Sequence, residues 1–161
     1  MPPEVVHYTF AWLPDGWNYL KAEWLGNLLV SLTPCPGPHY PSGPSKNERD
    51  LTLEDVLAGR QPSTSIQVSE QNRSVWGQRV IRALRDIPFG KSRTYKELAA
   101  AAGNPKAARA AARVCAANRI SLVIPCHRVV ASSGTLGGFY WGTQLKEAML
   151  RWEAEKTGQA N

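Results

Sequence analysis

The chain has 161 residues, a net charge of +6 and 43% hydrophobic residues, enough for one sizeable core or two small ones. No run of 18 apolar residues appears and the N-terminus lacks the basic and apolar regions of a signal peptide, so we expect a cytoplasmic protein without a membrane partner. Three widely spaced cysteines exclude a disulfide framework and fit a reducing compartment.

The N-terminal part contains short aromatic and apolar runs separated by turn residues. Residues 5–12 and 17–32 are divided by Pro14-Asp15-Gly16, and the second run has its own break at Gly26-Asn27. Because Pro-Asp-Gly and Gly-Asn favour turns, we predict two or three antiparallel strands.

A proline-rich loop is predicted next. Residues 33–50 hold five prolines and cannot form regular structure, and a short helix follows over residues 51–58. Cys35 and His39 in this loop are two candidate metal ligands, but two ligands in a flexible loop are a weak signal, and we predict no metal.

A domain boundary is predicted after this helix, in a polar link. We expect an α/β domain over residues 1–68, with a small antiparallel sheet plus a helix, and a mainly helical domain over residues 69–161. The second domain starts with a helix that Pro88 ends. Its apolar residues recur in steps of three and four and are Trp76, Val80, Ile81, Leu84 and Ile87.

Two further short helices follow. Ser92 or Thr94 can cap a helix that ends at Gly103, and Asn104 can cap the next one, over Lys106–Ala117. Two short helices joined by Gly-Asn-Pro predict a helix-turn-helix.

The second of these helices has an unusual exposed face. This face consists of small side chains with isolated arginines, which allow close approach to a narrower groove and insertion of one arginine. A helix that reads the major groove usually carries long polar side chains on this face instead. The alternative is that alanine is the best helix former. The outward positions are Arg109, Ala112, Arg113 and Ala116, and the inward ones are Ala107, Ala111, Val114 and Cys115.

Positive charge is concentrated in the same region. Between Lys91 and Arg128 there are eight basic residues and one acid, Glu97, so this window carries +7 and the rest of the chain −1. A local basic surface suggests a polyanionic partner, although a solvated basic face has the same composition.

The most informative sequence is Pro125-Cys126-His127-Arg128-Val129. A cysteine next to a histidine is typical of an activated thiol, because the thiolate is the nucleophile and an imidazole promotes its formation. The preceding apolar run, Ile120–Ile124, is interpreted as a buried strand that presents Cys126 from a rigid element. A buried structural cysteine beside a surface histidine is the alternative.

The C-terminal helix brings a carboxylate to the edge of the core. A carboxylate in that position needs a partner, and His127 is the candidate for Glu153; a solvated surface glutamate is the alternative. Glu153 borders the apolar stripe of this helix, which consists of Leu145, Ala148, Met149 and Trp152.

A spaced set of residues between Ser74 and Glu153 resembles the active-site domain of the O6-alkylguanine-DNA alkyltransferases. The resemblance covers about the last 80 residues, and residues 1–70 match only loosely, as that family's variable N-terminal domain would. The set comprises Val75-Trp76, Ile87-Pro88-Phe89-Gly90, Thr94-Tyr95, Leu98-Ala99, Gly103-Asn104-Pro105, Arg109-Ala110, Asn118, Pro125-Cys126-His127-Arg128-Val129-Val130, Gly134, Gly138-Phe139, Lys146 and Glu153.

The resemblance implies direct repair of double-stranded DNA that bears alkylated guanine. The alkyl group would pass from O6 of guanine to Cys126, and no cofactor would regenerate the thiol, so each molecule would react once. O4 of thymine stays open as a second substrate. The protein would act as a monomer, in the cytoplasm or on the nucleoid of a prokaryote.

The resemblance also implies residue roles. Arg109 would replace the flipped base in the stack, and Asn118 would tie the reactive turn to the helix-turn-helix. The catalytic set would be Cys126, His127, Glu153, Tyr95 and Asn118. The DNA-binding surface would be Thr94, Tyr95, Lys106, Ala108, Arg109, Ala110, Ala112 and Arg113. The alkylguanine pocket would be lined by Val129, Phe139, Tyr140 and Trp141.

The sequence departs from the family's common pattern after Gly138. Phe139-Tyr140-Trp141-Gly142 carries two bulky residues where small ones are common, so the alkyl-size preference is not implied. A non-catalytic lesion-binding protein is the first alternative function, although such relatives replace the reactive cysteine. A Cys-His hydrolase is the second, and it needs an oxyanion hole for which the sequence offers no candidate.

Overall fold

A computed structural model describes residues 1–9, 19–36, 47–70, 74–139 and 141–158. The chain forms two compact units. The first consists of residues 1–69 with residues 119–123, and the second of residues 70–118 with residues 124–161. The division into domains 1–68 and 69–161 remains a prediction from the sequence.

The first unit contains a mixed four-stranded sheet, whereas an entirely antiparallel one was predicted. Strands β1, β2 and β3 pair antiparallel, and β4 pairs parallel to β3. The chain between β3 and β4 includes a helix, and such a crossover allows parallel pairing where a tight hairpin does not. The strands are β1 (Glu4–Tyr8), β2 (Tyr19–Leu25), β3 (Leu28–Cys35) and β4 (Gln67–Val68).

The turn predicted at Gly26-Asn27 is confirmed as the connection between β2 and β3. Gly26 has φ +61, in the left-handed region that glycine adopts at little cost. The other predicted turn, Pro14-Asp15-Gly16, and most of the proline-rich loop, with His39, lie outside the described residues.

Helix α1 (Glu48–Leu57) starts three residues before its predicted start because Asn47 caps it. The Asn47 side chain accepts from Asp50 N at 3.0 Å, and the Asp50 carboxylate accepts from Asn47 N, which forms a capping box. The Tyr8 hydroxyl on β1 donates to the Asp50 carboxylate and accepts from Trp24 Nε1 at 3.2 Å. These buried hydrogen bonds attach the helix to the sheet.

The second unit is mainly helical, as predicted. A two-stranded parallel ladder joins β5 to β6. Among the described residues, no helix combines the length and apolar character needed to cross a membrane. The elements are α2 (Val75–Arg85), β5 (Arg93–Thr94), α3 (Tyr95–Ala101), α4 (Ala108–Ala116), β6 (Val129–Val130) and α5 (Thr143–Lys156).

The connection between α3 and α4 differs in detail from its prediction. Of the two predicted caps, Thr94 is the one that caps α3, in a capping box with Glu97, and Gly103 follows the end of the helix with φ +104. Asn104, however, does not cap α4. Its side chain accepts from Lys106 N at 3.1 Å, which closes a local turn, and α4 begins only at Ala108.

The predicted strand Ile120–Ile124 is wrong, although these residues are buried. Only Ile120 forms a bridge, to Leu32. Val123 N donates to Ser121 O at 2.8 Å across Leu122, whose φ is +72. This is a classic γ-turn, which is rare and strained. An apolar run predicts burial, but it does not determine the backbone conformation.

A close contact at Gly90 provides a test of the packing in the second unit. Gly90 has φ +82, and a Cβ there would lie 2.6 Å from Thr157 Cγ2 at the end of α5. We expect Gly90→Ala to lower the free energy of unfolding by about 2–3 kcal/mol, from left-handed strain plus overpacking. Gly134→Ala is the control, because Gly134 has φ +85 and open space around it.

Urea denaturation of both variants separates these two contributions. Gly134→Ala should cost only the backbone strain, about 1 kcal/mol. Equal losses of stability in the two variants would show that the Thr157 side chain moves away from the added methyl group at no energetic cost, so that the close contact at Gly90 does not constrain the packing.

Candidate active site

Cys126 is presented by a second γ-turn. Pro125 has φ −84 and ψ 64, and Cys126 N donates to Ile124 O at 2.9 Å across it, which is the inverse γ-turn geometry. The proline ring restricts φ to this range, so the sequence itself favours the turn. A single turn of 3₁₀ helix, Cys126–Arg128, follows and ends at β6.

The Cys126 thiol is buried, with 7% of the residue exposed. The Asn118 side-chain amide lies just after α4 and donates to Cys126 Sγ at 2.6 Å and to Ile124 O at 2.9 Å. Burial raises the pKa of Cys126 to about 11, although the hydrogen bond from Asn118 acts in the opposite direction. The resting thiol is therefore protonated at neutral pH, and a base is needed to activate it.

His127 is held by a buried carboxylate. Its Nε2 lies 2.8 Å from Glu153 Oε1, and both side chains are almost completely inaccessible. Burial lowers the pKa of His127 and outweighs the effect of the Glu153 charge, so the imidazole is neutral at pH 7. In the neutral ring, Nε2–H donates to Glu153 and Nδ1 keeps its lone pair. Nδ1 is buried and has no hydrogen-bond partner among the described residues.

Arg128 holds the same carboxylate from the other side. Its Nη2 and Nε donate to the two oxygens of Glu153 at 2.8 and 2.9 Å, a bidentate ion pair. Its Nη1 donates to Ile87 O at 2.8 Å, and its guanidinium lies 5.5 Å from the Phe89 ring centroid. Arg128 thereby attaches the reactive turn to the segment just after α2.

Glu153 stays ionised because its partners outweigh its burial. Burial alone would raise the pKa of Glu153, but His127 and Arg128 lower it to about 2. Gly90 N donates to Glu153 Oε2 at 3.3 Å. The carboxylate therefore orients the imidazole, compensates the guanidinium charge and fixes the turn after Pro88.

A second cluster surrounds the loop of residues 131–139, which we call the pocket loop. The Tyr95 hydroxyl donates to Gly138 O at 3.3 Å. Lys146 Nζ donates to the same oxygen at 3.3 Å and to Val129 O. Burial, with a smaller effect of Cys115 and Cys126, raises the pKa of Tyr95 to about 12, so the hydroxyl remains a hydrogen-bond donor.

Helix α4 presents the faces that its sequence predicts. Its inward positions Ala111, Val114 and Cys115 are buried, and Arg109 and Arg113 are exposed. Among the remaining predicted DNA-contacting residues, Lys106 is exposed, and the half-buried ones are Thr94, Tyr95, Ala108, Ala110 and Ala112.

Several of the predicted site residues contact one another or the pocket loop in the structure. The structure brings His127 to Glu153 and Asn118 to Cys126, and it links Tyr95 to the pocket loop. Of the predicted pocket residues, Val129 is buried, Phe139 and Trp141 are half-buried, and Tyr140 lies outside the described residues. In the described ranges, no group of three or more His, Cys, Asp or Glu residues could hold a metal ion.

Two buried residues received no role from the sequence, although Cys115 was predicted to face inward and Lys146 belongs to the resembling set. The carbonyl oxygen of Cys115 lies 3.7 Å from Cys126 Sγ, and burial raises the pKa of the Cys115 thiol. Lys146 is completely buried. The sequence does contain a signal for the burial of Lys146. It lies seven residues before Glu153 and so on the same face of α5, and a charged side chain on that face needs a partner for the same reason as Glu153 does.

This chain is similar to known proteins in sequence and in structure. The family profile described as 6-O-methylguanine DNA methyltransferase, DNA binding domain, matches residues 76–155. The methylated-DNA–protein-cysteine methyltransferase of Methanosarcina acetivorans is 38% identical over 110 residues, which cover 66% of this chain and 67% of the relative. The bifunctional transcriptional activator/DNA repair enzyme Ada of Escherichia coli is 54% identical over 78 residues, 48% of this chain and 22% of that protein.

Other relatives extend the comparison beyond this region. The methylated-DNA–protein-cysteine methyltransferase of Lodderomyces elongisporus is 42% identical over 109 residues, 67% of this chain and 52% of the relative. This chain thus spans about half of that relative and about a fifth of Ada. The crystal structure of Mycobacterium tuberculosis OGT in complex with DNA has a TM-score of 0.73 and 29% identity, covering 93% of both chains.

The matched region, residues 76–155, contains Cys126, Asn118, His127, Glu153 and Tyr95. Together with a relative matched over two thirds of its own length, this places the chain in the methylated-DNA–protein-cysteine methyltransferase family.

Proposed function

We propose that this protein repairs DNA by moving an alkyl group from O6 of guanine to Cys126 Sγ, in one irreversible event per molecule. The proposal rests on two contacts, one made by the thiol and one made by the adjacent histidine. Asn118 positions the sulfur at 2.6 Å, and the adjacent His127 is fixed by Glu153 with its Nδ1 lone pair unused among the described residues. Such an arrangement provides a nucleophile and a base in a buried site.

The proton balance follows from the pKa directions. The neutral imidazole of His127 accepts the thiol proton, directly or through a water, and the Glu153 carboxylate stabilises the imidazolium. The sulfur then forms a bond to the alkyl carbon as the carbon–O6 bond breaks, and the purine keeps the electron pair. The Tyr95 hydroxyl, protonated because its pKa is raised to about 12, donates to guanine N3 and offsets that charge.

The partner that fits the exposed residues is duplex DNA. Helices α3 and α4 act as a helix-turn-helix whose small side chains approach a narrow groove, while the arginines of α4 supply positive charge. The target base must leave the stack to reach the thiol of Cys126, a residue that is 7% exposed. The Arg109 side chain fills the gap that the flipped base leaves in the stack. The related structure from Mycobacterium tuberculosis was solved with DNA, which supports this partner. One monomer suffices for the reaction.

Intact-protein mass spectrometry tests the proposed function directly. Incubation with a duplex containing O6-methylguanine should raise the protein mass by one methyl group, about 14 Da, and peptide mapping should find it on Cys126. A protein that binds the duplex without a change in mass would instead be a lesion-binding protein, and release of a hydrolysed small molecule would indicate a hydrolase.

The insertion role of Arg109 predicts a difference between two substrates. We expect Arg109→Ala to slow transfer from duplex DNA at least about tenfold, because the opened stack is no longer held, and to leave the reaction with free alkylated guanine within about twofold. Arg113→Ala is the control for the loss of one positive charge on the same helix, because Arg113 is also exposed, and it should slow transfer from duplex DNA less than Arg109→Ala does. Single-turnover rates measure both effects. Equal losses on the two substrates would mean that Arg109 supports the fold or the pocket.

A further inference from the structure

Helix α2 carries two exposed arginines that lie outside the basic stretch found in the sequence. That stretch begins at Lys91, whereas Arg79 and Arg82 lie about one turn apart on α2. Neither guanidinium has a hydrogen-bond or ion-pair partner among the described residues. This holds even though Asp86 lies four residues after Arg82, a spacing at which ion pairs form on a helix surface. The described part of the chain therefore leaves both charges without a counter-ion.

The packing of α2 brings this charge to the connection between α3 and α4. Helix α2 contacts both of these helices. A Cβ at Gly103 would lie 3.6 Å from Arg79 Nη1, so the Arg79 guanidinium lies beside this connection. The same connection carries Lys106, which is exposed. Arg79 thus adds positive charge from a third helix next to the residues that are predicted to contact DNA.

A structural role does not account for these two arginines. Arg128 shows what a structural arginine does in this protein, because it is buried and its donors bind the Glu153 carboxylate and Ile87 O. Arg79 and Arg82 are exposed and have no such bonds with the described residues. A guanidinium presents its donors in a planar fork that matches the oxygens of a phosphate group. The chemistry that fits both side chains is therefore the phosphate backbone of a nucleic acid.

We infer that α2 is part of the DNA interface, and that Arg79 and Arg82 bind backbone phosphates beside the connection between α3 and α4. The inference rests on the proposed function, in which α3 and α4 lie on duplex DNA. Phosphate contacts position a protein on the duplex and carry no sequence information. The two arginines therefore raise the affinity for undamaged and alkylated DNA alike, and they take no part in the transfer of the alkyl group.

The salt dependence of binding to an undamaged duplex tests the inference without any alkyl transfer. In Arg79→Gln, the slope of log affinity against log salt should become shallower by about 0.9, the value for one phosphate contact. The affinity itself should fall at least about threefold at about 100 mM salt, and to the same extent for duplexes of different sequence. Arg82→Gln should behave in the same way. Arg79→Lys keeps the charge and should keep the slope.

Arg151→Gln is the matched control. It removes the same charge from an exposed arginine of the same unit, but the guanidinium of Arg151 is already paired with Glu147 at 3.0 Å. Its slope should stay within about 0.3 of the wild-type slope. Slopes for Arg79→Gln and Arg82→Gln that do not differ from the slope of this control would overturn the inference.

Duplexes with one neutral phosphate distinguish a direct contact from a long-range effect of charge. A methylphosphonate replaces each phosphate in turn, and binding is measured for the wild type and for Arg79→Gln. At one position at least, the replacement should weaken binding of the wild type but cause no further loss in Arg79→Gln, because both changes remove the same contact. Additive losses at every position would overturn the inference, even if the salt slope of Arg79→Gln had changed.

The intact mass of the wild type after reaction with an O6-methylguanine duplex tests the proposed function separately. A wild type that binds the duplex but gains no methyl group refutes the alkyl transfer, while the salt slopes and the methylphosphonate positions still confirm or overturn the phosphate contacts. Methyl transfer at the wild-type rate to free O6-methylguanine in Arg79→Gln is expected, because the arginine contacts only the DNA backbone. A wild type without measurable affinity for duplex DNA overturns both the inference and the proposed function.

Discussion

Cys126→Ser is expected to reduce alkyl transfer at least about a thousandfold, because a hydroxyl is a far weaker nucleophile than a thiol and His127 cannot compensate for the difference. DNA affinity should stay within about twofold, since the exposed arginines of α4 are unchanged. The measurement is the single-turnover rate with an O6-methylguanine duplex, together with a binding titration on the same duplex.

The other two cysteines provide the controls for this prediction. Cys35→Ser changes a thiol in the first unit and should leave the rate unaltered. Cys115 is buried beside the nucleophile and its raised pKa keeps it protonated, so it should carry no alkyl group after reaction. Transfer at a rate near that of the wild type in Cys126→Ser, with the alkyl group on Cys115, would identify a different acceptor.

Glu153→Ala is expected to lower the free energy of unfolding by about 3–5 kcal/mol, because it leaves the Arg128 charge buried without its counter-ion. The same variant removes the hydrogen bond that fixes His127. Glu147→Ala is the control on the same helix. Glu147 forms an exposed ion pair with Arg151 at 3.0 Å, which should contribute less than about 1 kcal/mol. A small effect of Glu153→Ala would show that Arg128 finds another partner.

The acid sensitivity of folding gives a second measurement of Glu153. Its pKa is about 2 in the folded protein, against an ordinary value of 4.5. A carboxylate with a lowered folded-state pKa stabilises the fold above its unfolded pKa, and this stabilisation is lost as the pH falls from about 4.5 to about 2. The stability of the wild type should therefore decrease more steeply over this interval than that of Glu153→Gln.

Features with a local physical signal could be predicted from the sequence. The cap at Thr94 and the end of α3 at Gly103 follow from side-chain chemistry next to the backbone, and the two faces of α4 follow from helical periodicity. The contact between His127 and Glu153 was inferred because a charge at the core edge needs a partner.

Features that depend on tertiary context could not be predicted. Residues 120–124 carry the apolar composition of a strand, yet the γ-turn at Leu122 depends on strain that only the surrounding structure can maintain. The parallel strand β4 has two residues, too few for any periodicity. Lys146 belongs to the resembling set, but its burial was not predicted, because lysine is rarely buried and its carbonyl partners at Val129 and Gly138 carry no signal in the sequence.

The burial of Cys126 has a consequence for how long each molecule survives before use. With a pKa of about 11, the thiolate at pH 7 amounts to on the order of one molecule in ten thousand. Soluble oxidants and electrophiles react with accessible thiolates, so Cys126 is nearly inert towards them. Under the proposed function each molecule reacts once, so an unproductive encounter would remove it from use. Storage in the protonated, shielded form would therefore preserve active molecules until the substrate reaches the sulfur.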